Sequence, residues 1–410
     1  MPPSKPKSHP WQFSRRFRRH AFGWRSQPAI QRVREAVSEI KKVNRTDKLL
    51  AAEGAVRFLE KVSPALEHVD SSSGAIGTAV NKAIEALVPI IAQAPATEAL
   101  RDQWLERLWD AYQEDQMPYI ELLGEHWAEL CVSKEKASEW ADNLIDTCRM
   151  ALNPDPNIRG FFAGTTNCLD CLFAAGRYQE IIELIDTDLH PIWHYRQYKV
   201  KALAALGQTE SAVRYAQQEA GINDSPHGTA LVCEQILLDR GHREEAYRRY
   251  ACLANQRGTY LAWFRAVAKK YPEKKPEEIL ADLVRFTEGD EGKWFAAAKD
   301  AGLFEEAIQL ANQSPCAPQT LTRAARDFAE KRPVFAMESG IAALRWLTEG
   351  YGYEITGIDV LDAYAHTMTA AENAGRAKEA LARIHWLVAQ ERHGERFVTK
   401  VLGRELGLQR

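Results

Sequence analysis

Cys168-Leu-Asp-Cys171 followed by His190-Pro-Ile-Trp-His194 reads C-x2-C-x18-H-x3-H. Thiolate and imidazole are both zinc ligands, and four such donors can close a tetrahedral site. A turn at Gly176 and a full helix intervene, however, and Cys168 and Leu172 fall where a helix buries its inner face. A free cysteine there behaves as a small apolar side chain. The expectation is therefore core packing for Cys168 and Cys171, with no metal and no cofactor.

A second constellation is Trp11-Gln-Phe13-Ser-Arg15-Arg16-Phe17-Arg18-Arg19-His20-Ala-Phe22-Gly-Trp24-Arg25. Cations that neutralise phosphate, interleaved with rings that stack on bases, are what a nucleic-acid contact needs. Arg15, Arg16, Arg18, Arg19, Trp24 and Arg25 are the candidate contacts. The competing expectation is that the rings dock on the protein's own helices while the arginines meet its acidic body, or that the arm simply stays solvated. A transit peptide is a third reading of an acid-free, Arg-rich segment, disfavoured because its aromatics and prolines make an amphipathic helix hard to draw.

Tyr260, Trp263 and Phe264, then Trp294 and Phe295, form aromatic clusters on consecutive predicted helices. They would line a concave groove or, as buried aromatics more commonly do, fill the interface between packed helices. Asp70-Ser71-Ser72-Ser73-Gly74 precedes a helix whose amides could meet an anion. Without Gly-x-x-x-x-Gly-Lys-Ser/Thr it reads as a capping loop. No nucleophile elbow, H-E-x-x-H helix, dinucleotide fingerprint or phosphate loop occurs, so an enzyme ranks last among the expected functions.

The elements that must carry these residues are helical. Alternating Val/Ile/Thr runs bracketed by hairpin turns are absent. Helical periodicity sets in at Pro28 and predicts helices near 47–62, 74–93, 97–114, 118–131 and 133–152, with Asp47, Thr97 and Ser133 as N-caps. Residues 1–26 read as a basic, aromatic, flexible arm and 27–155 as an N-terminal helical region. Asn153-Pro154-Asp155-Pro156 marks its boundary with a repeat-bearing region, 156–410. The 410 residues exceed what one core serves, and 45% hydrophobic with 27% charged residues is an ordinary globular balance. The net charge of −3 hides an asymmetry: residues 1–48 hold 13 Lys and Arg against three acids, a net of +10, leaving −13 for the rest. The most apolar segment, Ala86 to Ala92, is short and interrupted by Pro89, so no membrane partner is expected. Seven scattered cysteines and no secretory signal are read as reduced thiols in the cytoplasm.

From residue 156 the chain repeats itself. Gly176, Gly207, Gly241, Gly302 and Gly375 each come after a helical stretch, and a small or aliphatic residue stands five positions later: Ile181, Ala212, Ala246, Ala307 and Ala380. Glycine supplies the left-handed residue that ends a helix, and the residue five on lets two helices approach. The glycines are spaced by 31, 34, 61 and 73 residues, so two further turns belong in the doubled gaps, using Pro272 and Pro276, then Pro333, in place of glycine. A period in the thirties built from paired helices is the pattern of a stacked array.

These turns, Gly176-Arg-Tyr-Gln-Glu-Ile181 and Gly302 to Ala307 above all, resemble the Gly-x-Tyr-x-Glu-Ala core of tetratricopeptide repeats, over roughly residues 157 to 390. The family's earlier Trp and Leu-Gly positions are mostly missing. The whole chain is also similar to uncharacterised bacterial helical-repeat proteins. The resemblance implies an all-α, right-handed α-α superhelix over 156–410, acting as a non-enzymatic scaffold or adaptor for another protein or peptide. Nucleic acid bound through the arm is the second reading. Gly350-Tyr-Gly-Tyr-Glu-Ile-Thr-Gly357, the least helical part of the repeats, is a loop where partners could bind.

Overall fold

Three helices of the N-terminal half begin where a short polar side chain takes up a free amide. Asp47 accepts from the Leu50 amide at 3.0 Å, Thr97 from Leu100 at 3.4 Å and Ser133 from Lys136 at 3.1 Å. The helices they cap are Lys48–Leu66, Glu98–Gln113 and Lys134–Ala151. In the loop before Ala75–Ala92, Asp70 and Ser73 accept from the Ser72 and Ala75 amides, and the N-cap itself is Gly74 with no side-chain cap. The computed structural model describes residues 9–188, 192–218 and 225–408, and no strand occurs among them.

The chain divides into two compact units, Met1–Ser225 and Pro226–Arg410. In the first, Ser26–Asn44, Lys48–Leu66 and Ala75–Ala92 pack on one another, and Glu98–Gln113 packs on Lys48–Leu66. Ala75–Ala92 runs through Pro89 without a break. By length and composition it could cross a membrane. Ile76, Val80, Ile84, Leu87, Val88 and Ile91 are nevertheless all buried, so its apolar face is taken up by the core. The Asn153–Pro156 breaker lies inside this unit, because Lys134–Ala151 packs along Thr165–Ala175 beyond it.

Residues 9–26 correct the expectation of a flexible arm. Trp11, Phe13 and Phe17 are core residues, with Phe13 and Phe17 edge-on to Phe58 at centroid distances of 5.7 and 5.1 Å. The indole of Trp11 lies on Gly54, where an added Cβ would come within 2.2 Å of it. Glu39 fixes the short helix Gln12–Arg16 by accepting from the amides of Gln12 and Phe13. Burying three large rings outweighs the entropy that composition alone suggests the segment keeps. Residues 1–8 lie outside the described residues.

The five glycines end their helices in one way. Their φ angles lie between 68° and 83°, and the next amide bonds back to the carbonyl five residues earlier, as Arg177 to Leu172 and Leu303 to Ala298, both at 2.9 Å. Ile181, Ala212, Ala246, Ala307 and Ala380 are each fully buried. Pro276 and Pro333 open the helices Pro276–Phe286 and Pro333–Thr348, in the doubled gaps. Gly350 makes the same turn, with φ 85° and Tyr351 bonding to Trp346, so the Gly350–Gly357 loop begins as another helix stop. In the second unit Phe304–Gln313 packs on Pro333–Thr348, and that helix packs on Gly357–Asn373 and Ala377–Gln390.

Candidate functional site

The described members of the sequence's metal constellation, Cys168, Cys171 and His194, form no metal-holding group. Cys168 and Cys171 are fully buried. The Cys148 thiol beside Cys168, and then burial, push its ionisation well up; the Cys131 thiol does the same for Cys171. Thiols held protonated are poor metal ligands. His190 lies outside the described residues, and His194 is engaged elsewhere. Among the described residues no three His, Cys, Asp or Glu side chains are grouped to hold a metal ion.

What the fold does assemble around His194 is a polar cluster. Its Nε2 lies 2.9 Å from the Thr166 hydroxyl, and its Nδ1 lies 3.5 Å from Glu125 Oε1. Gly124 permits this approach, since a Cβ there would stand 3.0 Å from the Tyr112 hydroxyl, 3.1 Å from Thr166 Cβ and 3.2 Å from Asn167 Oδ1. Asn167 is fully buried, with neither Oδ1 nor Nδ2 hydrogen-bonded. Hydroxyl, imidazole and carboxylate stand in the order that general-base chemistry uses. Here, however, Thr166 is buried beneath the imidazole. The contacts join the short helix Glu121–His126 to the helices Thr165–Ala175 and Trp193–Ala205.

One turn along, Asp170 accepts from the Ala128 amide at 2.8 Å. Burial pushes its carboxyl up from 3.8 to about 7, against the pull of that amide and of Lys201. Lys201 is itself shifted down by burial, and its ammonium lies 4.9 Å from the Tyr198 ring centroid. A carboxyl whose folded value is raised keeps its proton while the unfolded chain releases one. Stability is therefore complete below about pH 4 for this group and falls as pH rises towards 7, by up to about 1.4 kcal/mol per pH unit. Asp170→Asn keeps an acceptor for Ala128 and removes the proton. Urea denaturation of the variant between pH 4 and 8 is expected to lack that decline.

The aromatic groove candidates are core residues. Trp263, Phe264 and Trp294 are buried, and the half-buried Tyr260 packs edge-on to Trp294 at 4.7 Å and donates from its hydroxyl to Asp290. Trp263 donates to the Cys252 carbonyl and Trp294 to the Thr287 hydroxyl. The groove lies elsewhere in this unit, along one stripe of Pro333–Thr348. Two open cavities of about 620 and 760 Å³ flank it. Val334, Phe335 and Glu338 line the first, Ile341, Arg345, Arg383 and Trp386 the second, and Arg383 donates to Glu338 at 2.6 and 2.8 Å. Trp386 leaves 63% of its surface exposed. Tyr353 and Ile358, in and just after the Gly350–Gly357 loop, also face outward.

No protein-family model, curated protein or solved structure matches this chain. The groove and the polar cluster stand on their own geometry. Sequence reasoning missed both. Asp170 had a readable signal, the lone carboxylate of its helix, flanked by Cys168, Leu169, Cys171 and Leu172. So did Glu234, which is fully buried amid Leu231 to Leu238 and accepts from Tyr271 and Asn255 at 2.7 Å and from Lys270 at 2.5 Å.

Proposed function

We propose that this protein is a cytoplasmic, non-enzymatic scaffold whose hairpins are tetratricopeptide-like repeats of a right-handed α-α superhelix, and whose exposed surface binds another protein or peptide. The observation that supports it best is the groove along Pro333–Thr348 with Trp386 at its edge. An accessible tryptophan beside arginines is the kind of anchor in which binding energy concentrates. The repeated turns support the reading by setting successive helices side by side. Neither a membrane nor a cofactor enters it.

The test compares the full chain with Trp386→Glu, which alters an exposed side chain. Both are immobilised and exposed to nuclease-treated extract of the source cell, and retained proteins are quantified by mass spectrometry. At least one protein should be recovered by the parent chain and depleted about tenfold or more on the variant, the loss of one anchor. Identical sets on both would remove the groove from the proposal.

A further inference from the structure

The charge asymmetry of the sequence becomes a specific surface once the fold is known. Between residues 9 and 66 there are five carboxylates, and each is used internally. Glu35 pairs with Arg16 and Arg32, Glu39 accepts from the Gln12 and Phe13 amides, Asp47 caps its helix, and Glu53 and Glu60 hold Arg107. The cations are treated differently. Among the described residues Arg15, Arg18 and Arg25 form no ion pair, and all three are exposed. Arg19 shares Glu67 with His20.

Trp24 stands among them with 73% of its surface exposed, although its neighbours Trp11, Phe13 and Phe17 are buried. Its backbone is fixed: the Trp24 carbonyl accepts from the Asp70 amide at 2.9 Å, and the His20 amide donates to Pro64 at 2.9 Å. The Asp70 carboxylate is turned to the Ser72 amide. An indole presented to water from an anchored backbone, with three unneutralised guanidinium groups on the same short segment, suits a ligand carrying flat rings and regularly spaced anions.

We propose that residues 15–25 form a binding surface for single-stranded nucleic acid, with one base stacked on Trp24 and phosphates on Arg15, Arg18 and Arg25. The unpaired form is specified by the ring, because a base inside a duplex has no free face to offer. The burial of Trp11, Phe13 and Phe17 narrows the stacking platform to one residue, so the surface reads charge and a single ring and carries no sequence code.

The experiment is fluorescence anisotropy of the full chain with labelled 16-nucleotide single-stranded RNA and DNA, over a range of salt. Binding should weaken as salt rises, with a slope of log affinity against log salt of about −2 for three phosphate contacts. The triple variant Arg15→Ala/Arg18→Ala/Arg25→Ala should lose that slope and nearly all binding. Trp24→Ala should weaken binding about tenfold, and Trp24→Phe should recover most of it. All of these side chains are exposed, so the variants keep the fold, and circular dichroism checks this. Absence of binding by both oligonucleotides at the lowest salt would overturn the proposal. So would equal affinity of the parent and Trp24→Ala, or equal competition by inorganic polyphosphate, since either would leave charge without a base contact.

Discussion

Trp294→Ala is expected to destabilise the second unit by about 3–5 kcal/mol, measured by urea denaturation, the usual cost of emptying a buried tryptophan site. The side chain is fully buried, its ring sits between Tyr260 at 4.7 Å and Trp263 at 5.4 Å, and its Nε1 donates to Thr287. Removing it leaves a cavity between the hairpins and strands the Thr287 hydroxyl without that donor. A residue lining a binding groove would behave in the opposite way, losing a partner while leaving the denaturation midpoint nearly unchanged. Trp386→Glu is the matched control, exposed and expected to move stability by no more than about 0.5 kcal/mol. Equal midpoints for the parent and Trp294→Ala would contradict the interface assigned to this ring.

How legible each feature was depended on the distance over which it is determined. A helix stop needs one residue able to adopt positive φ, so the five glycines could be read directly, and the residue five positions on was buried in every case. N-caps are equally local, and Asp47, Thr97 and Ser133 could be placed from their own neighbourhoods. The direction in which an aromatic side chain points is decided by the partner helix. Tyr260 and Trp263 show the same spacing whether they line a groove or fill an interface. The ring that does remain exposed in the groove, Trp386, stands beside Leu387 in a helix with no feature to single it out.

The polar cluster was opaque for a further reason. Glu125, Thr166 and His194 come from three separate elements up to 69 residues apart in the numbering, and Gly124 matters only because of what lies opposite it. Asp170 sits inside the C-x2-C motif that drew attention to its flanking thiols. Metal-ligand spacing pointed at Cys168 and Cys171, whereas each is buried beside another thiol, Cys148 or Cys131. A spacing rule identifies residues that could converge; the helices Trp127–Cys131 and Lys134–Ala151 supply different neighbours first.

Composition misled most at the N-terminal segment, and there the second large effect is expected. Trp11→Ala should lower the stability of the first unit by about 3–5 kcal/mol, since the indole is 5% exposed and packs against Gly54 of the Lys48–Leu66 helix. Gly54→Val approaches the same contact from the other side. A side chain at 54 would overlap the indole at 2.2 Å, so Trp11 must leave its site and expose its ring. The two substitutions lose one interaction, so the double variant should be little worse than the more damaging single one. A flexible arm predicts a different pattern: Trp11→Ala silent, Gly54→Val neutral or mildly stabilising through helix propensity, and the double variant no different from the parent. Urea denaturation of the four proteins separates these outcomes, because the docked segment alone couples position 11 to position 54 across 43 residues of chain.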